Sequence, residues 1–299
     1  MNKKNLTIGI SILFIFIIGL NSCSKDEKNL KRDTYIVGAE IVDNMIKNYQ
    51  EIEEGNFISK YQDELISILT STDSVVSLYD FSNTVFTADM KQKINAFRAL
   101  KKVYNTCNLL SDKNFNLQNT DLSNFVTIAC NSLDSLELSD ETIIKVDEIR
   151  NYVMASKFSQ ELAVYELTLV YQEVWNTDSE NWIEILNSSY DKYSAGLESV
   201  PMEVFNQDKL EKFVYEPYQG KEMLVKIYKL NLKDEAYKQI NETTEKISFL
   251  TDAMEDMTFI NTEFTKEIPA NQAIEYKLDN LKEILFPEKV KSHELRKTN

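Results

Sequence analysis

Residues 142–176, TIIKVDEIRNYVMASKFSQELAVYELTLVYQEVWN, contain neither glycine nor proline, and apolar side chains recur at Ile143, Val146, Ile149, Val153, Leu162, Tyr165, Leu169 and Val170. Steps of three and four residues line one face of a helix, whereas a half-buried strand would alternate every second residue. Read as a single rod of about 36 residues, the stretch reaches roughly 54 Å. The rest of the chain has the same character. Only 6 glycines and 4 prolines occur in 299 residues, too few to make the many turns a sheet protein needs. The expected fold is all-α: an elongated multi-helix bundle with long antiparallel helices.

Working outward from that stretch, Tyr35, Ala39, Val42, Met45, Ile46, Tyr49 and Ile52 predict a helix that ends before Gly55, and Phe57, Ile58, Tyr61, Leu65, Ile68 and Leu69 predict a second. Ser71, Thr72 and Asp73 can cap a short helix carrying Val75, Val76, Tyr79 and Phe86. Met90, Ile94, Phe97, Leu100, Tyr104, Cys107 and Leu110 form the next stripe. Residues 111–120 are polar and read as a loop, after which Leu122, Phe125, Val126, Ala129 and Leu133 restart a helix. Ser139, Asp140 and Glu141 signal another beginning. Thr177, Asp178, Ser179 and Glu180 have the form of a capping box for a helix carrying Trp182, Ile183, Leu186, Tyr190, Tyr193 and Leu197. Beyond Pro201 and the loop around Pro217, Met223 to Tyr228 open a helix expected to bend near Asn231. Ile240, Thr243, Ile247, Leu250, Met254, Met257, Asn261 and Phe264 then step by three and four, a spacing like that of a coiled coil. Pro269 stops this run, and Ile274, Leu278, Leu281 and Leu285 define a last helix.

At the amino end, Lys3 and Lys4 precede an apolar run that closes on Leu20, Asn21, Ser22 and Cys23. The run is short for a membrane span and has the layout of a secretory signal. Leu, a polar residue, a small residue and Cys together resemble the lipobox of bacterial lipoproteins. The resemblance implies cleavage before Cys23 and diacylation of its thiol, and two acyl chains suffice for stable membrane attachment. Ser24, Lys25, Asp26, Glu27 and Lys28 follow at once. They resemble the signal that sends Bacteroidota lipoproteins to the outer face of the outer membrane. The implied address is an outer-membrane lipoprotein at the cell surface, with a periplasm-facing one as the alternative. The expected organisation is a signal segment at 1–22, the lipidated cysteine with a flexible tether at 23–33, a helical domain at 34–288 with any subdivision near 111–140 or 200–220, and a polar tail at 289–299.

Removal of residues 1–22 takes the formal charge from −15 to −17, with 48 acidic residues against 31 basic ones. Such a domain repels phosphate backbones, so no nucleic-acid partner is expected. The one histidine, His293, lies in the tail. Histidine triads, His-based zinc sites and the two Glu-x-x-His units of a ferritin-like di-iron centre are thereby excluded. The Gly-x-His-x-x-Glu motif of imelysin-like helical lipoproteins is missing too, as are Gly-rich phosphate loops, Gly-x-Ser-x-Gly elbows and Cys-x-x-Cys pairs. Acidic groups at Glu51, Glu53 and Glu54, or at Asp252, Glu255 and Asp256, read as solvated helix faces. Asp112, Asn114 and Asn116 begin like a calcium loop, but Leu117 stands where glycine is needed and Ser123 replaces the bidentate acid. No metal, cofactor or catalytic residue is assigned.

What remains is recognition. Tyr215 and Tyr218 flank Pro217 on a loop, and Trp175 and Trp182 flank an expected inter-helix turn. These four are the candidate contact aromatics, since such side chains bury much area at little entropic cost. Cys107 and Cys130 sit on successive helices and can bridge a helical hairpin as a disulfide; two buried free thiols are the alternative. Asp73-Ser74-Val75 and Asp134-Ser135-Leu136 resemble Bacteroidota O-glycosylation sites. The function expected is a membrane-anchored envelope protein that binds a protein or nutrient partner. An envelope scaffold or immunity-type protein is the first alternative, and a hydrolase working with carboxylates alone the second.

Overall fold

A chain with so few turn residues folds by running its helices long. In the computed structural model, residues 3–54, 59–69, 89–111, 119–155, 159–214 and 220–287 are described, with side chains from residue 27 onward except 54, 59, 60, 62, 119 and 120. Nine α-helices stand among the described residues: α1 (Lys3–Glu54), α2 (Ser59–Ile68), α3 (Met90–Leu110), α4 (Asn119–Leu133), α5 (Asp140–Met154), α6 (Gln160–Ser199), α7 (Gln207–Phe213), α8 (Lys221–Phe264) and α9 (Asn271–Leu285). The only strand-like pairing among them is an isolated antiparallel bridge between Leu69 and Phe205. The chain is an all-α multi-helix bundle. Among the described residues no helix is long and apolar enough to cross a membrane.

Two compact units divide it. One comprises Met1–Ile46, Gln92–Glu173 and Ala253–Asn299, the other Lys47–Lys91 and Val174–Asp252. The divisions fall within α1, at the start of α3, and within α6 and α8, rather than near 111–140 or 200–220; the long helices α1, α6 and α8 each supply a segment to both units.

In the first unit α3 buries Ile94, Phe97, Leu100, Tyr104 and Cys107 of the predicted stripe, while Leu110 at its end is half-buried. Gly38 of α1 lies under the Tyr104 ring, and Asp43 pairs with Lys101. As the α1 number rises the α3 number falls, so these two helices are antiparallel. By the same logic Thr168 with Asn261, and Gln172 with Thr258, set α6 antiparallel to α8. Asp256 of α8 pairs with Lys277 of α9, closing a helical hairpin. Ser139 begins α5 as the sequence predicts: its side chain accepts from the Thr142 N–H at 3.1 Å.

In the second unit α6 and α8 are likewise antiparallel, with Trp175 bonded to Thr251, Tyr190 edge-on to Tyr237 and Glu198 paired with Lys233. The end of α6 is closed by a buried lysine. Lys229 Nζ donates to the carbonyls of Glu198 at 3.1 Å and Val200 at 2.8 Å, and lies 5.7 Å from the centre of the Phe205 ring. A cation there meets the negative end of the helix dipole and satisfies carbonyls that the helix leaves open.

Four expectations are corrected. Residues 142–176 are not one rod: α5 stops at Met154 and α6 starts at Gln160, where Ser159 Oγ accepts from the Leu162 N–H at 3.1 Å. The apparent capping box at 177–180 lies inside α6, and α8 runs through Asn231 unbroken. Residues 24–33, expected as a flexible tether, are helical within α1. Lys31 pairs there with Glu27 at 3.0 Å and Glu161 at 3.1 Å, and Asp33 pairs with Lys282 at 2.6 Å. Charged residues with no glycine or proline are good helix formers, and these have acids and bases to meet. The short helix predicted around Val75 and Phe86 lies outside the described residues.

Gly38 is the one glycine whose lack of a side chain visibly matters. A Cβ there would stand 2.3 Å from Tyr104 Cε1, and that ring is fully buried with its hydroxyl tied down. Gly38→Ala gains about 1 kcal/mol in helix propensity and meets an overpacking cost of about 1–3 kcal/mol. We expect a net loss of stability, read as a lower thermal midpoint; an unchanged or raised midpoint would show that the ring can move.

Candidate functional site

The candidate site lies in the second unit, where α2, α6 and α8 bring tyrosines and glutamates together. Tyr61 and Glu64 are one turn apart on α2, Tyr193 is on α6, and Tyr228 and Glu235 are two turns apart on α8. The Tyr61 hydroxyl donates to Gln239 Oε1 at 2.9 Å and lies 3.3 Å from the Glu235 carbonyl. Tyr193 and Tyr228 are buried, 0 % and 2 % exposed, and neither hydroxyl has a hydrogen-bond partner among the described residues. Burial pushes both phenols well above their ordinary pKa, and the carboxylates of Glu64 and Glu235 push each further. Tyr61 is raised by burial and then by Glu235, Glu64 and Glu242. Three phenols thus share the field of the same two carboxylates. Glu64 is half-buried and Glu235 is exposed, so the acids are reachable from water while Tyr193 and Tyr228 lie beneath.

The aromatics singled out in the sequence went elsewhere. Trp175 and Trp182 are not surface anchors: they are 0 % and 4 % exposed. With Tyr49 they form a triangle of edge-to-face rings with centroids 4.9 to 5.6 Å apart. Inside it the Tyr49 hydroxyl donates to Asp178 Oδ2 at 2.7 Å, and Trp175 Nε1 donates to Thr251 Oγ1 at 2.9 Å. Asp178 lies three residues after Trp175 and four before Trp182, on the same face of α6. The polar run that imitates a cap therefore serves a buried tertiary bond, while Ser179 turns back to the Asn176 carbonyl at 3.0 Å. Tyr215 and Tyr218 lie outside the described residues, as do His293, the Asp73-Ser74-Val75 triplet and the imitation calcium loop at Asp112, Asn114 and Asn116. Cys23, Ser24, Lys25 and Asp26 lie in the backbone of α1; of the export-like run, the side chains of Glu27 and Lys28 are described, Glu27 paired with Lys31.

The first unit has its own buried polar knot. Asn261 Nδ2 donates to Tyr104 Oη at 3.0 Å and to Thr168 Oγ1 at 3.1 Å. Thr168 gives its proton to the Val164 carbonyl at 2.6 Å, so the 2.8 Å contact between Tyr104 and Thr168 has the phenol as donor. Burial pushes the Tyr104 phenol up to about 12. The Tyr104 and Thr168 hydroxyls and the Asn261 amide nitrogen are all used within this knot.

Cys107 and Cys130 do not form a disulfide; both are free and buried. Burial pushes the Cys107 thiol well up and that of Cys130 up to about 11. Asp256 and Glu51, from the acidic groups considered in the sequence, pair with Lys277 and Lys246. Among the described residues no three His, Cys, Asp or Glu side chains are grouped to hold a metal ion. The phenol cluster escaped sequence reasoning because Tyr61, Tyr193 and Tyr228 read only as core positions on three separate helices.

Fold and site together define an all-helical bundle protein with a buried phenol cluster beneath accessible carboxylates. No known family model matches the chain, and no curated protein or solved structure is significantly similar to it.

Two outcomes follow from these contacts. Tyr49→Phe leaves the Asp178 carboxylate without this donor in a buried place, and should cost about 1–3 kcal/mol in chemical denaturation; a neutral result would mean the bond contributes nothing. Thiol reagents should label Cys107 and Cys130 only after unfolding, because buried thiols of raised pKa carry little thiolate. Rapid labelling of the native protein would contradict that burial.

Proposed function

We propose that the protein is a lipid-anchored helical binding protein of the bacterial envelope, held by Cys23 and displayed on the outer face of the outer membrane. Binding rather than bond-breaking is its work, with a nutrient-type ligand or a protein as partner. The observation that carries the binding role is the pair of buried, unpartnered hydroxyls of Tyr193 and Tyr228, which the negative charges of Glu64 and Glu235 reach. A buried polar group with no partner costs about 1–3 kcal/mol, and a bound molecule that completes its hydrogen bonds recovers that cost. Supporting the anchor are the lipobox residues Leu20 to Cys23 and the export-like run Ser24 to Lys28. Two acyl chains on Cys23 supply stable attachment without a membrane-spanning helix.

Cys23→Ala is expected to abolish labelling by radioactive palmitate and move the protein from the membrane fraction to the soluble one. Retention of label and of membrane association would overturn the anchor. Alanine at Lys25, Asp26 and Glu27 is expected to protect the protein from protease added to intact cells, and undiminished cleavage would remove the surface assignment.

A further inference from the structure

We propose that Tyr61, Tyr193, Tyr228, Glu64 and Glu235 bind the ammonium group of a small organic amine. The inference rests on the binding role proposed above and supplies the chemistry of the ligand. Within the second unit, buried phenols otherwise find protein acceptors: Tyr49 donates to Asp178 and Tyr61 to Gln239. Tyr193 and Tyr228 find none, although both are closed off from solvent.

The charges around them select the ligand. An anion would meet the carboxylates of Glu64 and Glu235, and the α8 lysines that flank Glu235 are already engaged: Lys229 by the carbonyls of Glu198 and Val200, Lys233 by the Glu198 carboxylate and Lys238 by Glu242. A hard divalent cation needs six or more oxygen ligands with dense negative charge, and no group of three acids is assembled among the described residues. An alkylammonium fits the donor set that is present. It has three N–H donors and no acceptor, matching two phenol oxygens with open lone pairs and a carboxylate. Phenol rings also attract a cation to their faces, and Tyr190 and Tyr237, 5.5 Å apart, add to the aromatic surroundings. Glu235 makes no ion pair among the described residues and stands exposed, so it is the first charge an arriving amine meets.

The test is isothermal titration of the full-length protein in detergent micelles with 1,4-diaminobutane, and with 1,4-butanediol as its uncharged counterpart. Saturable binding of one equivalent of the diamine and none of the diol is expected. The double variant Tyr193→Phe, Tyr228→Phe should keep its helical circular dichroism, since neither hydroxyl bonds to the protein, and should bind the diamine at least about tenfold more weakly. Glu235→Gln, an exposed change, should weaken binding by a similar factor and decides the matter by the same criterion if the double variant does not fold. No saturable heat with the diamine, equal binding of the diol, or undiminished affinity in these variants would each overturn the proposal. Such a failure, with Cys23→Ala still releasing the protein from membranes, would leave the anchored protein in place and dismiss only the amine.

Discussion

A helix of 40 residues such as α6 can slide or turn against its neighbours and still bury leucines, but it cannot do so and keep a buried hydrogen bond. Hydrophobic burial has no direction; a phenol aimed at a carboxylate does. In the second unit the constraint is the Tyr49–Asp178 bond, made across 129 residues of sequence inside a triangle of aromatic rings. In the first it is the Tyr104–Thr168–Asn261 knot, which ties α3, α6 and α8 at one level. Breaking either by a shift of one turn would leave several polar atoms buried and unpaired, and that penalty exceeds anything a better leucine contact could return. Gly38 belongs to the same constraint, because the Tyr104 ring can hold its place only if α1 has no side chain there.

Most elements were legible because their apolar spacing and their caps agree. Met90 to Cys107 gave α3, the Ser139 cap gave the start of α5, and Pro269 with Ile274, Leu278 and Leu281 gave α9. The failures share a cause, which is that local signals compete with burial. Thr177 to Glu180 has the form of a capping box, yet Asp178 and Ser179 are buried mid-helix, and tertiary contact outweighs what a cap contributes. The true break between α5 and α6 has no glycine or proline to mark it. Its signal was Ser159, a cap overlooked inside a stretch that seemed continuous. The helical state of residues 24–33 was hidden for a different reason: Lys31 and Asp33 find their partners at Glu161 and Lys282, far along the chain.

The site was less legible than the fold. Trp175 and Trp182 drew attention as aromatics beside a turn, and when the turn proved to be helix interior their exposure went with it. Tyr193 and Tyr228 sit at ordinary core positions, and a tyrosine in a stripe looks like any other apolar residue until its hydroxyl is followed. Only the assembled packing of α2, α6 and α8 shows that two of these hydroxyls are buried without a partner, within the field of the same carboxylates.

The charge balance gives that meeting its consequence. With 48 acids against 33 bases, lysines cannot neutralise every carboxylate, and many are held at points where helices meet: Lys101 with Asp43, Lys246 with Glu51, Lys277 with Asp256, Lys282 with Asp33. Each of these partly exposed pairs contributes little to stability by itself. The negative potential left around Glu235 is therefore unopposed by any ion pair of its own among the described residues, and it stands over hydroxyls that have lone pairs to offer. Packing such groups together raises the free energy of the empty unit. A cation that enters lowers it twice, by cancelling charge and by supplying the missing donors, and a binding site needs that difference between its empty and filled states.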